Sequence, residues 1–218
     1  SKVYGNVDSL TYNAPGLITG DLLQGSLSRV AGENVGNYAI QKGTLFNPNY
    51  AINFIPNILN IIPRPLMVIA NAASKVYGNV DSLTYNAPGL INGDLLQGSL
   101  GRVAGENVGI YAIQQGSLFN PNYIISFMRN NLSIIPRPLT VTADAASKVY
   151  GNVDSLTYST LGLINGDSLL GSLSRAAGEN VGIYAIQQGT LFNPNYAISF
   201  NRNNLIIIPR ALKDTDDD

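Results

Sequence analysis

An all-β fold of three small tandem modules, each with one short helical turn, is what the sequence predicts. Three observations carry that reading. Ser1-Lys2-Val3-Tyr4-Gly5-Asn6 returns at Ser74 to Asn79 and again at Ser147 to Asn152, a step of 73 residues without insertion or deletion. A fixed period of this size marks one folding unit used repeatedly. Most segments within the period alternate apolar and polar residues, the signature of half-buried strands. The 218-residue chain is 45% hydrophobic and only 12% charged, against the roughly 25% charge of ordinary soluble proteins. Asn, Ser, Thr and Gly supply its polarity, which excludes the high-charge disordered class.

Each element follows from its residues. Leu139-Thr140-Val141-Thr142 reads as the strand that opens the third module, with Leu139 and Val141 facing in. Gly93-Asp94-Leu95-Leu96-Gln97-Gly98 is the one stretch able to form a helical turn, with Asp94 as its cap. Gly105-Glu106-Asn107-Val108-Gly109 lacks the glycine spacing of a phosphate loop and reads as a turn. Gly182-Ile183-Tyr184-Ala185-Ile186 is a strand bounded by Gly189. Asn122 to Phe127 is another, with Tyr123, Ile125 and Phe127 on one face, and its third copy turns Ala197 and Ser199 outward. Arg202-Asn203-Asn204 then Leu205 to Ile208 reads as a hairpin, because Asn tolerates positive φ. Within the module, these strands are expected to form a sandwich or a β-grasp-like sheet.

The junctions carry no Gly/Ser linker. Ile61-Ile62-Pro63-Arg64-Pro65-Leu66 fixes two φ angles and biases Ile62 and Arg64 to extended geometry. Pro136, Pro138 and Pro209 repeat the pattern. One strand is therefore expected to run nearly straight from a module into the next. The boundaries fall at residues 1–65, 66–138 and 139–218, the first module lacking an opening strand and the third ending in an acidic tail. Modules of ~30 Å in series give a rod of roughly 100 Å. Two explanations of the first module are open: an arbitrary cut, or completion by the tail of another molecule through strand addition. Consecutive Asp in that tail disfavours a strand.

The chain has no His and no Cys, which removes most nucleophilic and general-base arrangements and the usual zinc ligands. No cofactor or metal is expected. Asp81, Asp94 and Glu106 read as solvated turn acids and caps rather than a glycosidase pair. Asp214, Asp216, Asp217 and Asp218 are the one acidic cluster that calcium could use. Tyr4, Tyr77 and Tyr150 offer a sugar platform or, more simply, packed rings with backbone-satisfied hydroxyls. Outward Met67 and Ile69 (Thr140 and Thr142 in the next copy), Ile110 and Ile183 (Asn37 in the first) and Leu212 are candidate contacts between modules or chains. Net charge is −1, so nothing steers the chain to nucleic acid, and no stretch approaches the ~20 apolar residues of a membrane helix. No signal peptide is visible, which reads as a piece of something longer.

Lys148-Val149-Tyr150-Gly151, Leu156-Thr157-Tyr158, Gly162-Leu163-Ile164-Asn165-Gly166-Asp167, Gly178 to Ile186, Asn195-Tyr196 and the closing Pro-Arg form a series found in every copy. Together they resemble the MBG domain of filamentous-haemagglutinin-like bacterial adhesins. The resemblance covers nearly the whole chain. It implies a very large secreted protein at the bacterial surface, often exported by two-partner secretion, with these modules as a stalk and no enzymatic activity. Ala211 departs from Pro65 and Pro138. Expected partners are neighbouring modules, a second copy, or a glycan or cell-surface protein. A self-assembling filament and a multivalent binding module remain as other functional readings.

Overall fold

The structure is a computed structural model and describes residues 1–212. In the first repeat the strands are β1 (Lys2–Val3), β2 (Ser28–Arg29), β3 (Gly36–Gln41) and β4 (Ile58–Ile62). The second repeat contributes β5 (Arg64–Ala70), β6 (Ala73–Val76), β7 (Tyr85–Asn86), β8 (Gly101–Arg102), β9 (Gly109–Gln114), β10 (Tyr123–Met128) and β11 (Asn131–Ile135). The third supplies β12 (Arg137–Ala143), β13 (Ala146–Val149), β14 (Tyr158–Leu161), β15 (Ser174–Arg175), β16 (Gly182–Gln187), β17 (Tyr196–Asn201) and β18 (Asn204–Ile208). No helix occurs among the described residues. The stretch expected as a helical turn is instead a tight turn, closed by Asp94 N–H donating to the Ile91 carbonyl at 3.0 Å, followed by a bridge from Gln97 to Phe119. Gly93, at φ +95°, ends the turn in the left-handed region that breaks a helix.

Contacts divide the chain into two compact units. One comprises Ser1–Asn71, Leu83–Val103 and Ala112–Asn130; the other comprises Ala72–Ser82, Ala104–Tyr111 and the chain from Asn131. In the first unit, β1 runs parallel to β4, β4 antiparallel to β3, and β3 antiparallel to β2. A second sheet has β5 at its centre, parallel to β10 and antiparallel to β7. β8 pairs with the end of β9. Leu66 and Val68 alternate inward along β5 and are buried against Leu118 and Tyr123. Each of these side chains is worth ~1.5–3 kcal/mol of burial.

The second unit repeats the plan. β12 lies between parallel β17 and antiparallel β14, and β18 lies between parallel β13 and antiparallel β16. Leu139 and Val141 anchor one core cluster; Ile186, Leu205 and Ile207 anchor another. Leu173 and Phe200 pack against both, so the two sheets share one interior. That is the sandwich-like solution, since a grasp fold needs a helix across the sheet.

The hairpin expected at Arg202-Asn203-Asn204 does not form. β17 pairs with β12, whereas β18 pairs with β13 and β16. The chain switches sheets at this corner. The Asn203 carbonyl accepts the Ile186 N–H at 2.7 Å, and the Asn203 side chain accepts the Asn204 N–H at 2.9 Å. Every positive φ among the described residues belongs to Gly, so the Asn pair makes the corner by side-chain bonding.

Candidate functional site: the seams between repeats

Each unit holds one seam where a repeat meets its successor, and the residues that build it come from fixed places in the period. In the first unit, Pro63 alone separates β4 from β5, so the strand leaves one sheet and enters the next almost without interruption. Pro65 lies inside β5, opposite Ile124. Its missing N–H is tolerated there because β7 reaches only Ile69 and Ala70, leaving that end of β5 paired on one side. Arg64 turns back on the preceding repeat. Its Nε donates to the Tyr4 carbonyl at 2.9 Å and its Nη2 to Asn6 Oδ1 at 2.7 Å.

A carboxylate lies at the centre of the seam. Tyr4 Oη donates to Asp94 (2.9 Å to Oδ2) and Tyr123 Oη donates to the same oxygen at 2.5 Å. The two rings meet edge to face, 5.4 Å between centroids, a favoured geometry for aromatic pairs. Tyr123 also accepts the Ile91 N–H at 3.0 Å. Burial, reinforced by the bond to Asp94, pushes the Tyr123 hydroxyl up to about 12. Tyr4 is raised for the same two reasons. Gly5 makes the close approach possible. Its φ is +79°, and a Cβ there would stand 2.1 Å from Ile91 Cδ1.

Buried Asn122 completes the joint. Its Oδ1 accepts the Val35 N–H at 2.9 Å, its Nδ2 donates to Asn34 Oδ1 at 3.0 Å, and its carbonyl accepts the Arg64 N–H at 2.9 Å. The 34–35 turn is held in place by an ionic cluster. The buried ammonium of Lys2 lies 2.6 Å from Asp8 and 2.7 Å from Glu33, while Arg29 binds both acids and stacks over Tyr38 at 5.0 Å. Burial alone would lower the Lys2 ammonium, but Asp8 and Glu33 outweigh it and raise the pKa. Arg29 first, then Lys2, holds Asp8 below the carboxylate range.

The second unit reproduces these contacts residue for residue. Tyr77 Oη donates to Asp167 Oδ2 at 3.1 Å and Tyr196 Oη to the same atom at 2.5 Å. Their rings are 5.5 Å apart. Arg137 reaches the Tyr77 carbonyl at 3.1 Å, and Asn195 takes the Val108 N–H at 2.8 Å and binds Asn107 at 3.0 Å. Pro136 separates β11 from β12, and Pro138 lies within β12 opposite Ala197. Pro209 follows β18, where Arg210 still binds the Tyr150 carbonyl at 3.1 Å.

These positions revise several expectations from the sequence. Asp94 is no cap, and Tyr4 and Tyr77 are satisfied by a carboxylate rather than by backbone. Asp81 and Glu106 are not merely solvated, since both grip buried Lys75 at 2.6 and 2.7 Å. The turn at Gly105 to Gly109 supplies the Val108 donor. Met67 and Ile69 lie on β5, Met67 exposed and Ile69 half-buried; Ile110 on β9 and Ile183 on β16 are exposed, as is Leu212. None of these five is among the seam groups. Among the described residues no cluster of three acids is placed to hold a metal, and Asp214, Asp216, Asp217 and Asp218 lie outside them. Nothing in the sequence pointed to Asp94 as a hub, because its partner Tyr4 lies ninety positions away, beyond one period. Asn122 was equally hidden.

The sequence model of the MBG domain (YGX type) matches residues 1–60, 66–133 and 139–206. The chain belongs to the MBG domain (YGX type) family. It is a tandem array of three MBG repeats, each with a Tyr-Gly-Asn triplet, and those at Tyr4 and Tyr77 supply the seam tyrosine and its glycine. MBG repeats are structural, adhesin-type domains typical of extracellular surface proteins. No curated protein matches the chain.

Proposed function

We propose that the three MBG repeats, bounded at residues 1–65, 66–138 and 139–218, are a stalk segment of a large extracellular bacterial adhesin. They would act as a mechanical spacer that holds a distal binding tip away from the cell. The observation that supports this most is the seam. A strand passing through one proline, a shared carboxylate and a fully bonded buried Asn leave a joint few ways to bend, because unpairing a buried polar group costs ~1–3 kcal/mol. These groups, repeated at the same places in each period, are engaged in joining one repeat to the next.

Electron microscopy and small-angle scattering of the purified chain test the reading. Particles of roughly 100 Å with a narrow length distribution are expected. Three beads tumbling independently would refute it. Tyr77→Ala, which on a sugar-platform reading would abolish glycan binding, is instead expected to loosen a seam.

A further inference from the structure

The third repeat departs from the second at one sheet edge. Residues 147–167 reproduce residues 74–94 except at three consecutive places, where Asn86-Ala87-Pro88 becomes Ser159-Thr160-Leu161. The strand there changes with them. β7 stops at Asn86 after 2 residues, whereas β14 runs for 4, through Leu161. Pro88 explains the short version. The Asp144 N–H donates to the Thr157 carbonyl at 3.0 Å. In an antiparallel ladder such bonding recurs at every second pair, so Ser159 with Thr142 and Leu161 with Thr140 are hydrogen-bonded pairs too. Leu161 has an N–H to give at that last pair, and Pro88 in the same place has none.

The same alternation turns the N–H and C=O groups of Tyr158 and Thr160 away from β12, toward the side where β14 ends its sheet. All four residues of β14 are exposed, Leu161 to 76%. Pro88 is exposed although a third repeat follows it, so this position is not one that the next repeat covers. Sheet edges are ordinarily guarded by proline or by charge. β14 lacks the proline, and residues 155–166 carry no Asp, Glu, Lys or Arg.

We infer that β14 pairs edge to edge with β14 of a second copy, antiparallel about a two-fold axis at Ser159. The residues favour a second copy because the edge complements itself. With Tyr158 set opposite Thr160, every backbone group that β14 turns outward finds a partner on the other chain. Two aromatic–β-branched pairs form, a favourable cross-strand combination. Ser159 then faces Ser159, and no like charges meet. Such an isologous contact closes at two chains and does not propagate. The edge is short, so a weak dimer is expected, with a dissociation constant of about 0.1–1 mM. This pairing does not depend on the stalk reading.

Sedimentation equilibrium and amide hydrogen exchange of the full chain, at concentrations up to about 1 mM and low ionic strength, test it. A monomer–dimer equilibrium is expected, with protection gained at the Tyr158 and Thr160 amides as the dimer fills. Ser159→Lys sets like charges directly opposite one another and should weaken the dimer about fivefold, as should Ser159→Glu. Mixing those two variants should restore association. Leu161→Pro recreates the Pro88 arrangement, which already sits in a folded repeat, and should weaken the dimer at least about tenfold. A chain that stays monomeric at about 1 mM would overturn the inference. So would a dimer indifferent to Leu161→Pro, a Lys–Glu mixture no better associated than either variant alone, or assembly that runs on past two chains.

Discussion

Asp94 does more for the chain than its single charge suggests, because two tyrosine hydroxyls from different repeats converge on it. Asp94→Ala leaves both donors in a half-buried site, and a loss of about 2–4 kcal/mol is expected in denaturant titrations. Asp94→Asn, which keeps an acceptor oxygen, should recover part of that. Glycine supplies a sharper comparison. Gly78 and Gly151 have nearly the same φ, +81° and +85°. A Cβ on Gly78 meets Ile164 Cδ1 at 2.1 Å, whereas on Gly151 its nearest neighbour is Arg210 at 3.5 Å. Both Ala variants carry the left-handed strain of ~1–2 kcal/mol. Gly78→Ala should cost up to about 1 kcal/mol more, because Ile164 must move. At this scale the sequence was partly legible. Alternation named Tyr123, Ile125 and Phe127 correctly, since the period of two is written in consecutive residues. The Tyr4–Asp94 and Asn122–Val35 pairings were not, since no local pattern reports a partner ninety residues away.

At the scale of elements, the opening strand is the part whose loss should hurt most. Leu139 and Val141 on β12 are almost fully buried, and Leu139→Ala is expected to destabilise by about 2–5 kcal/mol. Met67→Ala on the outer face of β5 should change stability by no more than about 0.5 kcal/mol. Urea midpoints of the two variants check the contrast. These strands were readable because Pro fixes their start and Val and Leu recur at every second residue. The corner at Asn203 was misread because an Asn pair serves a hairpin and a sheet switch alike. Composition there specifies a turn, and only long-range pairing decides which strands flank it. The stretch at residues 93–98 misled for a related reason: Leu-Leu favours a helix, and the flanking left-handed glycines override it.

For the whole molecule, the ionic clusters of the repeats and the seam tyrosines set a pH profile. Asp8 and Asp154 are held below the ordinary carboxylate value, chiefly by Arg29 and Arg175. Their contribution is therefore full above about pH 4 and disappears as pH falls through the depressed values. Tyr123 is shifted the other way, so its contribution is complete below about pH 10 and is lost as pH rises through about 12. With no His in the chain, the urea midpoint is expected to stay level between pH 5 and 9. Absorbance titration of the tyrosines should show a late phase, and Tyr123→Phe should diminish it.

The identical joints have an evolutionary corollary. Every group that a seam needs is drawn from fixed positions 73 residues apart, as Ser1, Ser74 and Ser147 are. Unequal recombination that adds or deletes a whole copy would recreate the same carboxylate, the same amide clasp and the same proline junction at the new border. Such a gene can lengthen or shorten its product in steps without designing a fresh connection each time.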